Sequence, residues 1–251
     1  MKLAIIKNVS DSLSMHLKIF TLTLEPVDPV QFSIIETRAY FTVKLEEYTV
    51  LNKSNDTAFI YRYPAVQFKQ IKNTLMVIGI SQGAALLEQL SHARNEILSG
   101  KNTCTILERD AVIRNEEFGI SNTTRTYEFL TPWLALNQQN AKKFYDLKGK
   151  PERDAFIRRI LIGNLATLAK SLDYKTPVPI TCEAKIRFRI DWMGHENVMV
   201  FLGKFKTNLR IPDYLGMGQS VSQGFGTMKS IPEIPVIDDE LTYSLYKKTI
   251  G

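Results

Sequence analysis

The chain has 251 residues, 44% of them hydrophobic, enough for one large folded domain or two small ones around a sizeable core. Its 32 Lys and Arg against 26 Asp and Glu give a net charge of +6, which favours a polyanionic partner. Cys104 and Cys182 lie far apart, as do His16, His92 and His195, so the sequence offers no disulfide framework, no CxxC pair and no ligand cluster, and the expectation is chemistry without metal or cofactor.

In chain order, His16 to Glu25 is rich in β-branched and apolar residues and predicts a strand. Pro26 and Pro29 close it, and Val30 to Tyr48, with Ile34, Phe41 and Leu45, predicts a helix. Ala58 to Ile71 predicts a second strand, in which Pro64 demands an edge or a bulge. Lys72 and Asn73 turn the chain into a third, Leu75 to Ile80. Ser81 begins a helical pattern carried by Leu86, Leu87, Leu90, Ala93 and Ile97 as far as Ser99-Gly100, and Thr103 to Leu107 predicts a fourth strand. Strand, helix, strand, strand, helix, strand is the order of a ferredoxin-like unit, with two helices on one face of the sheet and the other face free to bind. Apolar runs such as Leu75 to Ile80 are too short to span a bilayer and the N-terminus has no signal-peptide pattern, so a cytoplasmic protein without a membrane partner is expected.

A second unit follows. Thr124 to Leu136 predicts a strand, Gln138 to Lys150 a basic connection or short helix, and Pro151 to Leu172 a helix with Ile157, Leu161, Leu165, Leu168 and Leu172 in one stripe. The Gly163-Asn164 pair within that helix predicts close packing. Ile180 to Trp192 and Asn197 to Ile211 predict a hairpin, and a short strand falls within residues 226–231. Between them, Tyr214 to Lys229 holds Gly216, Gly218, Gly224 and Gly226, with Ser220 and Ser222. Such a loop is either a tight turn or a cradle in which main-chain N–H groups contact a phosphate. The fold class expected is α+β, with two tandem ferredoxin-like (RRM-like) domains, 1–122 and 123–231, the second carrying the glycine-rich loop at 214–229, and a tail over 232–251.

Charge patterning points to a nucleic acid. Lys185, Arg187 and Arg189 alternate with apolar residues on one strand of the hairpin, and Lys204, Lys206 and Arg210 do so on the other. Paired strands would gather these cations on one face that lacks acidic residues, a pattern that a phosphate backbone compensates. Arg62 between Tyr61 and Tyr63 mixes a guanidinium with rings able to stack on bases.

Five stretches taken together resemble one family: Tyr61-Arg-Tyr-Pro-Ala-Val-Gln-Phe-Lys69, Ile78-Gly-Ile-Ser-Gln-Gly83, Phe129-Leu-Thr-Pro-Trp-Leu-Ala-Leu-Asn137, Ile160-Leu-Ile-Gly-Asn164 and the closing loop from Leu215 to Gly226. They are similar to the CRISPR-associated endoribonucleases that cut precursor CRISPR RNA within its repeats, the Cas-six family, in its b-type branch. The resemblance implies RNA held across two ferredoxin-like domains and metal-independent cleavage by the ribose 2′-hydroxyl. It also implies a CRISPR repeat RNA as partner, with other Cas proteins of an effector complex and a second copy of the chain as further partners. Where the branch carries a histidine-asparagine-histidine, this chain has Leu51-Asn52-Lys53, and where its loop carries a lysine and an arginine, this chain has Gln219 and Gln223. Lys53, Lys44 and Tyr61 are therefore the catalytic candidates. The RNA-binding candidates are Arg38 and Arg62, the hairpin cations Lys185, Arg187, Arg189, Lys204 and Lys206, and Gly216, Gly218, Gln219, Ser220, Ser222, Gln223 and Gly224 of the loop.

Overall fold

The computed structural model describes residues 14–26, 34–51, 63–90, 96–99, 102–193 and 196–232. Its first unit contains strand β1 (Ser14–Pro26), helix α1 (Ile34–Leu51), strands β2 (Val66–Ile71) and β3 (Thr74–Ile80), helix α2 (Gln82–Leu90) and the short strand β4 (Glu96–Ser99). Strand β5 (Asn102–Phe129) runs through both units. Helices α3 (Gln138–Asp146) and α4 (Lys150–Ser171) follow, then the hairpin of β6 (Cys182–Met193) and β7 (Glu196–Arg210), one 3-10 turn at Val221–Gln223, and β8 (Met228–Ile231).

All eight strands join one antiparallel sheet in which the order β2-β3-β1-β5-β7-β6 is extended by β4 and β8, both paired to β5. The order β2-β3-β1-β5 is the ferredoxin-like arrangement, with the early part of β5 as its fourth strand. The order repeats as β6-β7-β5-β8, where the late part of β5 is the first strand. Strand β5 thus ends one unit and begins the next. In the second unit α4 occupies the first helix position, and the glycine loop stands where a second helix would lie.

Several sequence expectations change. Helix α2 stops at Leu90, and Ile97, expected on its apolar stripe, lies in β4 opposite Cys104. A local hairpin wins there over helical periodicity. The separate strands expected near Thr103–Leu107 and Thr124–Leu136 are parts of the single strand β5, which ends at Phe129. Residues 63–65 precede β2, in keeping with Pro64, and β2 is the outermost strand of the sheet order. Residues 58–62 of that expected strand and Gly194-His195 of the hairpin turn lie outside the described residues.

The expected free face of the first unit is also corrected. One face of its sheet packs Phe20, Leu22, Val66, Phe68 and Val77 against Phe41 of α1 and Ala84 and Leu87 of α2. The other face sends Leu17, Ile19, Ile78 and Ile80 into a core shared with Tyr127, Phe129, Trp133 and the α4 stripe. Burying each large apolar side chain contributes about 2 kcal/mol, so this shared core ties the units together. On α4 the stripe Ile157, Leu161, Leu165 and Leu168 is buried as expected. Gly163 is exposed, with open space where a Cβ would lie, so the close packing expected of Gly163-Asn164 falls to Asn164 alone, which accepts a hydrogen bond from Trp133 Nε1 at 3.4 Å.

Candidate nucleic-acid interface

The glycine loop is built from contacts among the five stretches singled out above. Gly226 N–H donates to the Pro132 carbonyl at 2.8 Å, and Gln219 N–H to the Leu134 carbonyl at 3.1 Å. Thr131 Oγ1 donates to the Gly224 carbonyl at 2.7 Å and accepts from Thr227 N–H at 2.9 Å. Trp133 links this segment to Asn164 on α4. On the opposite flank, Tyr63 Oη donates to the Gly216 carbonyl at 2.6 Å, while Gly216 N–H donates to Gln67 Oε1 at 3.0 Å. Ile80 N–H donates to the Ala65 carbonyl at 2.8 Å and brings in the remaining stretch. The loop is therefore a strap that joins β2, at one edge of the sheet, to the second unit.

Two glycines of the loop are set by close approach. Gly218 has φ +95°, and a Cβ there would meet Trp133 Nε1 at 2.6 Å. A Cβ on Gly216 would meet Val221 Cγ1 at 2.5 Å and Lys69 Nζ at 2.8 Å. The outer surface of the strap is polar: Gly218, Gln219, Ser220 and Gln223 are exposed, Ser222 is half-buried, and Gly216 and Gly224 are buried beneath.

Lys69, on β2, is the residue under the strap whose burial sequence reasoning missed. Its side chain is 0% exposed, and its Nζ has no hydrogen-bond partner among the described residues. Loss of hydration lowers its pKa from the usual lysine value to about 7. The same loss raises the pKa of the Tyr63 hydroxyl, which its contact with Gln67 partly offsets. Gln67 too is fully buried. The signal was the pair Gln67 and Lys69 alternating with Val66 and Phe68, which reads as a half-solvated strand when only one sheet face is expected to be covered.

The basic hairpin lies at the other edge of the sheet, on β6 and β7. Lys185 stands directly across from Lys204, and Arg187 and Arg189 are on the same strand face and exposed. That face is not free of acids. Glu183 stands across from Lys206, Asp191 is 2.7 Å from Arg189, and Glu128 is 3.9 Å from Lys204. Arg210 pairs with Glu117, whose carboxyl is held below its usual range by a hydrogen bond from Ser14 and by Arg210. The mixed signs correct the expected all-cationic face and reduce like-charge repulsion across the hairpin. Beside it, a groove of about 660 Å³ runs between the first turns of α4 and the hairpin, lined by Arg158, Lys185, Lys204 and Lys206 together with Asp154 and Glu183. The structure thus separates the expected RNA-binding residues into a strap-side group and a groove-side group.

Of the other candidates, Arg38 and Lys44 lie half-buried on α1, and Lys44 has interaction partners. Lys53, Tyr61 and Arg62 lie outside the described residues.

Comparison with known proteins agrees with this organisation. Residues 15–117 match the Cas6b N-terminal domain and residues 119–231 the Cas6b C-terminal domain. A crystal structure of Cas6b shares 30% identity at a TM-score of 0.74, covering 86% of this chain and 100% of that one. A second crystal structure, of the CRISPR RNA processing endoribonuclease Cas6b, shares 28% identity at a TM-score of 0.66 over the same shares. An uncharacterized protein of Methanocaldococcus jannaschii is 33% identical over 131 residues, which is 49% of this chain and 84% of that relative. Both halves match in order and a solved relative is covered from end to end, so the chain belongs to the Cas6b family.

Proposed function

We propose that this chain binds precursor CRISPR RNA and cuts it within its repeats without a metal ion. The observation that carries this reading is the likeness to Cas6b across both units, including the Cas6b described as a CRISPR RNA processing endoribonuclease. In the proposed reaction a ribose 2′-oxygen attacks the adjacent phosphorus, forming a 2′-O–P bond as the P–O5′ bond breaks. A base accepts the 2′-hydroxyl proton, an acid returns one to the departing 5′-oxygen, and a cation steadies the charge of the phosphorane. The products are a 2′,3′-cyclic phosphate and a 5′-hydroxyl.

By position in the family pattern, Lys53, Lys44 and Tyr61 take these roles. Lysine and tyrosine have ordinary pKa values near 10, so they exchange protons at neutral pH more slowly than histidine unless desolvated. The RNA runs from the polar outer surface of the strap, at Gln219, Ser220, Ser222 and Gln223, toward the hairpin cations Lys185, Arg187 and Lys204. Exposure of the strap residues and of Lys185, Arg187 and Lys204 supports this route.

A second reading, an RNA-holding subunit without cleavage, is favoured by one observation. By the resemblance, Leu51-Asn52-Lys53 stands where the branch carries two histidines. Incubating radiolabelled repeat RNA with the purified protein in EDTA separates the two. The first reading predicts one product ending in a 2′,3′-cyclic phosphate. Intact RNA retarded on a native gel supports the second, and unretarded RNA at low salt overturns both.

A further inference from the structure

Lys69 belongs to no step of the proposed reaction, yet it is enclosed beneath the glycine strap. Strand β2 presents Val66 and Phe68 to the α1 and α2 helices, so Gln67 and Lys69 point to the opposite face, which the strap covers. Gln67 and the Tyr63 hydroxyl are both satisfied by the Gly216 peptide. The Lys69 ammonium is satisfied by none of the described residues, although it lies directly beneath Gly216 and close to Val221. A buried ammonium without a partner is costly, and pairing with an anion offsets that cost. Above it, the exposed surface of the strap carries glutamines and serines and no charge between Gly216 and Gly226.

We propose that Lys69 is the electrostatic anchor of the strap, a buried cation beneath Gly216 whose field draws a phosphodiester of bound RNA onto residues 218–223. The proposal rests on the RNA-binding reading above. Lys69 acts through the loop and does not touch the substrate. In water-poor surroundings a charge a few ångströms below the surface acts more strongly than one in bulk solvent. The Ser220 hydroxyl and the side-chain amides of Gln219 and Gln223, all on exposed residues, then supply the direct contacts.

Among the described residues, few other charges compete at this position. Tyr63 is the titratable group beside it before β2, and its hydroxyl is engaged by Gly216. Asp213 and Tyr214 stand at the entry to the strap, with Lys229 over the Tyr214 ring at 5.3 Å. On α1, Glu36, Arg38 and Lys44 belong to the helix whose Phe41 packs on Phe68, across β2 from Lys69. Strand β3 places Met76 opposite Lys69 and carries no titratable side chain. Because its pKa is lowered to about 7, Lys69 is only partly charged near neutrality, and an approaching phosphate favours the charged form. RNA binding is therefore coupled to uptake of a proton.

The test uses the full chain and repeat RNA carrying a 2′-deoxy nucleotide at the cleaved position, titrated at fixed salt from about pH 6 to about pH 9 with parent and Lys69→Met. One-proton linkage predicts that parent affinity falls above neutrality by up to about tenfold per pH unit. Lys69→Met should bind more weakly at pH 6 and lack this component of the slope. Calorimetry in two buffers of different ionisation enthalpy should show proton uptake by the parent and less by the variant, which reads Lys69 directly even if the variant is perturbed elsewhere. Inorganic phosphate, titrated alone against both proteins, should not reproduce the difference. Equal affinity and equal pH slope in parent and Lys69→Met overturn the anchor while leaving the RNA-binding reading intact, and parent that binds no RNA overturns both. A difference seen with inorganic phosphate and absent with RNA overturns the phosphodiester assignment.

Discussion

At the scale of single residues, Lys69 sets sequence and stability against each other. An ammonium withdrawn from water without a partner costs several kcal/mol, and no hydrogen bond in the strap offsets it. Its folded pKa of about 7 lies below the value of about 10.4 for a solvated lysine, so between these limits the unfolded chain binds more protons than the folded one. Stability attributable to this group therefore rises with pH across that window and is lowest on its acid side. Lys69→Met, which removes the charge and retains an unbranched apolar side chain of similar length, should melt about 5 °C or more above the parent near pH 7. The gap should close as the pH approaches about 10. A gap that stays constant over that range contradicts the assignment of Lys69 as a buried, titrating group. Gln67 makes a contrast, because its buried amide accepts from Gly216 N–H and donates to the Pro64 carbonyl, so burial leaves it satisfied.

At the scale of elements, what the sequence revealed depended on how local the signal was. The α4 stripe from Ile157 to Leu168 and the alternating β6 strand are written within one element, and both fold as read. The α2 pattern carried on through Ile97, but pairing of Ile97 with Cys104 is a contact between segments, which helical periodicity does not encode. The strap was legible as a set of glycines and serines, yet its partners Tyr63, Gln67 and Trp133 lie far away in the chain. For the same reason Lys69 read as a surface lysine. The hairpin charges were visible, whereas their neighbours Glu128 and Glu117 on β5 became apparent only from strand register. If the groove beside α4 carries RNA, Lys185→Ala combined with Lys204→Ala should weaken binding across unrelated RNA sequences. The slope of log affinity against log salt should flatten by about 0.7 for each phosphate that the variant leaves without a cation. Unchanged affinity and slope would place the RNA path away from the hairpin.

At the scale of the whole molecule, strand β5 makes two ferredoxin-like units into one sheet, and the strap closes over the seam they share. On the proposed route, RNA seated on the strap would lie where the second unit is tied to β2, an arrangement suited to fixing a ribose and its neighbouring phosphate in line for attack. The shared core leaves little of the first unit's sheet face open at the strap end, so the proposed function puts the RNA on the strap and not on that face. In the proposed function everything turns on the 2′-hydroxyl of the RNA as nucleophile. Single-turnover cleavage in EDTA of repeat RNA, with and without a 2′-deoxy nucleotide at the cleaved position, reads that role without intermediaries. The all-ribose strand should be cut to a cyclic phosphate, while the substituted strand should bind with equal affinity and stay intact. Cutting of the substituted strand at the same position and at a comparable rate would contradict the 2′-hydroxyl mechanism.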